Sequence, residues 1–363
     1  MAIQKLVSPV RAMRRLTLVI TTAFAIAACR SPSNLPLNNA ASTNCRTIAH
    51  ITGETEICGQ PQRIVVLGPF LLELLLALDI QPIGYGDYAE FHRGPYTDPS
   101  QQIPYLGVRM VSPTADPIAN VGLAHSPSIE AIIKLQPDLI LGGEFDGSTY
   151  EILSQIAPTL LLPDYSREHV EPTLRAIAQA VNRTEQAEQS LVQTQQQIAA
   201  ARELFATLVD THPQVALLSS SDLQDIGLAG PNTPCGWLID SLGFQLVSPP
   251  GITNNKTVIH APISLETLPQ LNDADLVILL GYNFSDLRQF QGMDRFEEQQ
   301  LSNLRQTWAK NEIAQSLDVS KTGRIYFMPI YLCRGLPGPI GTELYLNELK
   351  QQLLSPYKSF LLY

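Results

Sequence analysis

Four arginines and a few aromatic residues are the side chains in this sequence best suited to hold a small molecule. They are Tyr88, Arg93, Arg109, Arg167, Trp237, Tyr331 and Arg334, in or near stretches that follow short apolar segments. The planar fork of arginine donates two parallel hydrogen bonds to carboxylate or catecholate-type oxygens, and aromatic walls add apolar contact. Tyr85, His92 and Tyr282 are weaker candidates of the same kind. Taken singly, each of these residues also reads as a solvated loop charge, a local ion pair or a core ring. The chemistry implied is noncovalent capture. Catalytic signatures are missing: there is no Gly-x-Ser-x-Gly elbow, no phosphate-binding glycine loop and no His-Glu-x-x-His helix. Gly227-Leu228-Ala229-Gly230 lacks the dinucleotide fingerprint. Six histidines, with His92 and His125 the nearest candidates, are too sparse for three or four converging metal ligands. The expectation is no enzyme, no cofactor and no metal held by the protein itself.

The N-terminus says where such capture would happen. Lys5, Arg11, Arg14 and Arg15 precede an uncharged apolar run, Leu16 to Ala28. That run is too short to span a bilayer comfortably and reads as a secretory signal. It ends in Ile26-Ala27-Ala28-Cys29, which resembles a bacterial lipobox and implies Cys29 as the lipidated first residue of the exported protein. The other reading is an ordinary signal peptide with Cys29 incidental. Residues 1–28 are thus assigned to the signal and 29–44, rich in Ser, Pro, Asn and Ala, to a flexible tether. Loss of four basic residues takes the formal charge of −10 to about −14, which disfavours nucleic acid as a partner. An apolar content of 45% and a charged content of 16% describe a well-packed globular protein. Four cysteines remain: Cys45, Cys58, Cys235 and Cys333. An exported compartment permits disulfides, and three pairings are open. Cys45 with Cys58 would close a short hairpin, and Cys235 with Cys333 would tie distant segments.

The elements that must position the candidates alternate between strand and helix. Arg63–Gly68, Ile80–Gly84, Asp138–Gly142 and Thr159–Leu162 read as strands, with helices over 69–78 and 148–156. From Glu171 to Val209 the chain carries no glycine and no proline past Pro172, with apolar residues at helical spacing. This predicts one continuous rod over 171–210, about 55 Å long, between lobes 45–170 and 211–363. Beyond it, Val215–Leu218, Leu276–Leu280 and Ile325–Met328 read as strands, and Cys235–Leu242 and Glu343–Leu354 as helices. The fold class is α/β, two Rossmann-like lobes with parallel central sheets. A repeat supports the two lobes: Ser128-Ile129-Glu130 leads through a helix to Asp138–Gly142, and Ser264-Leu265-Glu266 leads to Asp275–Gly281. It places Glu130 and Glu266 equivalently, one in each lobe.

These residues resemble the ferric-siderophore and vitamin B12 class of ABC-transporter substrate-binding proteins. The likeness runs through Thr47–Ile57, Pro61–Leu67, Glu73, Leu78–Gly84, Ile129-Glu130, Pro137–Ile140, Leu153–Thr159, Ile263–Glu266 and Gly338–Ile340, in that order. The resemblance implies two α/β lobes joined by one long helix and a shallow cleft between them. It further implies limited hinge motion and no catalysis. The implied ligand is a ferric chelate, of siderophore or ferric citrate type, with cobalamin or heme as the alternative. The implied partner is a dimeric ABC permease, on which Glu130 and Glu266 would dock. In the same reading Tyr88 matches an aromatic ligand contact. The protein is expected to be a monomer, anchored to the membrane by its N-terminal lipid, on the periplasmic side of the cytoplasmic membrane or at the cell surface.

Overall fold

Short apolar strands build two sheets, each buried on both faces. The computed structural model describes residues 44–110, 117–163, 166–252, 261–283 and 293–354. Cys29, the signal and most of the tether lie outside them. From Thr43 onward the chain forms one compact unit.

An N-terminal hairpin pairs β1 (Cys45–His50) with β2 (Gly53–Cys58), and a disulfide joins Cys45 to Cys58. The first lobe then contributes β3 (Ile64–Leu67), β4 (Gly84–Asp87), β5 (Ala119–Leu123), β6 (Ser126–Pro127), β7 (Leu139–Gly143) and β8 (Thr159–Leu162). They lie in the order β6-β5-β4-β3-β7-β8, parallel except for β6. The second lobe holds β9 (Gln214–Ser220), β10 (Ile226–Leu228), β11 (Gln245–Leu246), β12 (Ala261–Ile263), β13 (Leu276–Gly281) and β14 (Ile325–Pro329). Its order is β12-β10-β9-β13-β14, with β11 also on β9. The core strands β9, β13 and β14 are parallel, while β10 runs antiparallel to β9 and β12 antiparallel to β10.

The second strand begins at Gly84 instead of Ile80. Asp79 turns the chain with a left-handed φ of 57°, and Pro82 offers no N–H to a ladder. The final helix starts at Pro339, earlier than the expected Glu343, because proline suits the first helical turn.

The larger correction concerns the rod. Residues 171–210 do not form one helix. Arg167–Ala180 is one helix and Thr184–Thr211 is another. Asn182 adopts the left-handed conformation with φ 57°. The Arg183 N–H bonds the Ala178 carbonyl, and the Asn182 N–H bonds that of Gln179. This is the Schellman ending, in which asparagine substitutes for glycine. Arg46 on β1 reinforces the stop by donating to the Gln179 carbonyl at 2.6 Å and to that of Ala180. The first helix belongs to the first lobe: Val170, Leu174, Ile177 and Ala178 are buried in its core. It folds back on its successor, where Arg175 pairs with Glu188 at 2.7 Å. The connection between lobes is therefore the 28-residue helix Thr184–Thr211, about 42 Å long.

The repeat is visible in three dimensions. Each unit ends in a central parallel strand, β7 or β13, and an aspartate pins each strand's entry. Asp138 accepts from the Gln62 and Arg63 N–H groups, and Asp275 from that of Gln214. The first unit is an α-helix, Ile129–Leu135, capped by Ser128. The second, Leu265–Leu271, tightens to a 3-10 helix around Pro269, which cannot donate a helical hydrogen bond.

Candidate functional site

In open α/β sheets, ligands bind outside the carboxyl ends of the strands. Here those ends meet between the lobes. At the end of β4 stand Asp87 and Tyr88. Directly after β14 comes a 3-10 turn, Ile330–Leu332, that buries Tyr331. The Tyr331 ring stacks on Tyr105 at 5.9 Å and meets Phe296 edge-on at 5.5 Å. Phe91 meets Phe296 at 5.6 Å from the first lobe. Aromatic rings from both lobes thus form one apolar contact across the junction.

Tyr88 lies flat over the end of β3. Its hydroxyl would come within 2.7 Å of a Cβ at Gly68, where φ is 99°. Only glycine serves there, because the backbone is left-handed and the ring needs the space.

Two buried carboxylates accompany the rings. Glu73 is the single charged residue of the helix Pro69–Leu76 and is fully buried. Its oxygens accept from the Gly338 N–H at 2.9 Å and the Gly341 N–H at 2.6 Å, so it caps the C-terminal helix Pro339–Leu353 from the opposite lobe. A Cβ on Gly341 would strike the Leu336 carbonyl, which explains the glycine. Burial pushes Glu73 up to about 7, against the pull of those N–H groups and of Arg109. Asp87 is pushed up to about 6, also by burial, against a 2.6 Å hydrogen bond from the Tyr85 hydroxyl and the N–H groups of Tyr88 and Ala89. Its Oδ1 has no partner in hydrogen-bonding geometry, and neither has the hydroxyl of Tyr331. Burial drives the Tyr331 phenol well above its usual range, and nearby Asp87, Tyr105, Tyr88 and Glu73 add to the shift.

The seven proposed ligand residues separate into groups. Tyr88 and Tyr331 face each other across the strand edges. Arg334 is half-buried beside them, near Tyr282, whose hydroxyl reaches Asp225 at 3.2 Å. Arg167 and Trp237 meet elsewhere, on the side of the linking helix. The guanidinium lies 3.9 Å over the indole and 3.3 Å from Glu171, beside a groove of about 300 Å³. Arg109 pairs with Glu343 across the lobes at 2.9 Å. Arg93 pairs with Glu90 at the surface, with its side chain 73% exposed. The four arginines therefore do not converge; three are matched to carboxylates outside the strand-edge site. His92 meets Tyr96 at a tilt, with ring centroids 5.5 Å apart, and contacts Gln102. The second disulfide joins Cys235 to Cys333 and fixes the turn bearing Tyr331 and Arg334 against the Trp237 helix.

Sequence reasoning missed Asp87, Tyr105 and Phe296. It used Glu73 only as a point of family likeness. Its signal was present: one carboxylate among seven apolar residues in Pro69–Leu76.

Glu130 and Glu266 are exposed in the first turns of the repeated helices. A hydrogen bond from its own backbone N–H and another from Ser264 hold Glu266 below the usual carboxylate range. Among the described residues, no helix is long and apolar enough to cross a membrane.

Two α/β lobes, a single crossing helix and a site at facing strand edges define a substrate-binding transport protein. The periplasmic binding protein family matches residues 64–332, and the chain belongs to it. It is 24% identical over 306 residues to the "Probable siderophore-binding lipoprotein YfiY" of Bacillus subtilis, covering 83% of this chain and 85% of that one. It is 30% identical over 189 residues to the Fe(3+) dicitrate-binding periplasmic protein FecB of Escherichia coli, covering 51% and 57%. Among solved structures, Staphylococcus aureus SirA complexed with staphyloferrin B superposes with a TM-score of 0.64 at 20% identity, covering 85% of this chain and 98% of SirA. That likeness concerns the fold.

Proposed function

We propose that this protein captures a ferric chelate between its lobes and delivers it to a dimeric ABC permease as a monomer held to the membrane by a lipid on Cys29. The observation that carries the reading is the meeting of two strand edges, Asp87 and Tyr88 on one side and Tyr331 on the other, with aromatic walls between. Such a site suits a compact guest with both apolar and polar faces. Tyr88, Tyr331 and Arg334 are its ligand contacts. The siderophore-binding YfiY, the Fe(3+) dicitrate-binding FecB and SirA in complex with staphyloferrin B support iron chelates as the class.

Glu130 and Glu266 are the docking residues. Two exposed carboxylates at equivalent places in two similar lobes can address two matching basic pockets on a symmetric channel. Replacing both by alanine is expected to abolish uptake in cells with chelate affinity unchanged; normal uptake by the double variant removes them from the mechanism.

Ligand class is tested by tryptophan fluorescence of the domain from Thr43 to Tyr363, a compact unit of its own. Trp237 lies at the lobe junction and reports on it, whereas Trp308 is in the second-lobe core. Saturable quenching by at least one ferric chelate is expected. Saturation by cobalamin or heme alone contradicts the reading.

A further inference from the structure

The charge of the strand-edge site narrows the ligand. The polar groups described around it are mostly acidic or phenolic: Asp87, Glu73, Tyr85, Tyr88 and Tyr331. Tyr105 bonds Glu297 at 3.1 Å, and Tyr282 bonds Asp225. The arginines that would favour an anion are occupied elsewhere. Arg93 holds Glu90 and Arg109 holds Glu343, while Arg167, on the linking-helix side, lies between Glu171 and Trp237 with its Nε unpaired. Arg334 follows the Tyr331 turn, and it acts on Tyr282 together with Asp225 and Asp222.

Two groups in this setting are unmatched. Asp87 is 5% exposed and its Oδ1 lacks a hydrogen-bond donor. Tyr331 is 6% exposed and its hydroxyl lacks a partner. Leaving a buried polar atom unpaired costs about 1–3 kcal/mol, so a fold retains two such atoms in one place when something else pairs them. They come from opposite lobes and lie near each other, since Asp87 is the first of the charges acting on Tyr331. Glu73 shows the contrasting case, with its oxygens engaged by backbone N–H groups. A carboxylate oxygen can only be completed by a donor. A polyanionic chelate would sit against like charge, whereas an ammonium would not.

Building on the capture of a ferric chelate proposed above, we infer that the site selects a positively charged chelate that presents an ammonium to Asp87 and an acceptor oxygen to Tyr331. A ferric hydroxamate with a pendant amine has this chemistry, whereas ferric citrate and ferric tris-catecholates are anions.

The test is isothermal titration of the Thr43–Tyr363 domain with three probes: ferrioxamine B, which carries a free ammonium; its N-acetylated, uncharged derivative; and ferric citrate. The ammonium form is expected to bind about tenfold tighter than the acetylated form, the value of one charge-assisted hydrogen bond, with ferric citrate weakest. Asp87→Asn is expected to erase that tenfold ratio by weakening the ammonium form. Tyr331→Phe should weaken both hydroxamates alike. If Asp87→Asn fails to fold by circular dichroism, the ranking of the three probes on the unmodified domain decides. Ferric citrate binding tightest, or equal affinity for the two hydroxamates, overturns the charge preference while leaving chelate capture standing. No binding of any of the three, nor of other ferric chelates in the fluorescence panel, overturns the capture reading itself.

Discussion

Two buried carboxylates lie in the same junction and do opposite things. Glu73 spends its oxygens on the N-terminus of Pro339–Leu353, a helix of the other lobe. Asp87 accepts from Tyr85 through Oδ2 with the Tyr88 and Ala89 N–H groups close by, and its Oδ1 has no partner in hydrogen-bonding geometry. One is a clasp and the other a receptor. Beside the linking helix, Arg109 pairs with Glu343, and Arg167 reaches Glu171 and Trp237 while its buried Nε has no hydrogen-bond partner. At the strand edges, Tyr331 and Asp87 are incomplete.

This contrast can be broken at several strengths. The largest effect belongs to the clasp. Glu73→Ala removes the cap from a buried helix start and should lower unfolding stability by about 3 kcal/mol or more in urea titration. The clasp also sets a pH dependence. Glu73 titrates at about 7 in the folded protein against an ordinary 4.5, and Asp87 at about 6 against 3.8. Between those values the unfolded chain holds fewer protons than the folded one, so stability falls as pH rises. The contribution is complete below about 4.5 and gone once pH passes about 7. Urea midpoints should be higher at pH 5 than at pH 8, and Glu73→Gln should flatten most of that difference. A midpoint that rises steadily with pH contradicts the assignment.

The receptor side behaves differently. Tyr331→Phe removes a hydroxyl that has no internal partner, so stability should hold or improve by up to about 1 kcal/mol while chelate affinity falls. Loss of stability without loss of affinity would place Tyr331 among the clasps. Arg167→Ala deletes a cation–π contact and should cost about 1 kcal/mol of stability with little effect on affinity. Arg93→Ala, at an exposed ion pair, should change both by less than about 0.5 kcal/mol.

The sequence displayed its strands well, because fully apolar runs such as Ile64–Leu67 and Leu276–Gly281 belong to parallel sheets buried on both faces. The repeat was legible too, down to its two glutamates. The rod was misread because only glycine and proline were taken as helix stops, whereas Asn182 ends one helix and begins the turn to the next. That break leaves the two-lobe arrangement intact, since Thr184–Thr211 alone makes the crossing. The site was the least legible part. Arginine-bearing loops were the obvious candidates for anion binding, but a loop position says nothing about which carboxylate a side chain will find in space. Tyr331 stood out by its place after the last strand, but its burial and unpaired hydroxyl, like the burial and unpaired Oδ1 of Asp87, are recorded in no linear pattern. The helix Met293–Lys310, which supplies Phe296 to the aromatic contact, drew no attention because the stretch before it carries no motif.

The most direct test of the account is the position of iron. Crystals of the Thr43–Tyr363 domain grown with a bound ferric chelate will give an anomalous iron signal. The account predicts one peak between Tyr88 and Tyr331, with the chelate within hydrogen-bonding distance of Asp87. A peak in the groove beside Arg167 and Trp237, with the strand-edge site empty, would contradict it.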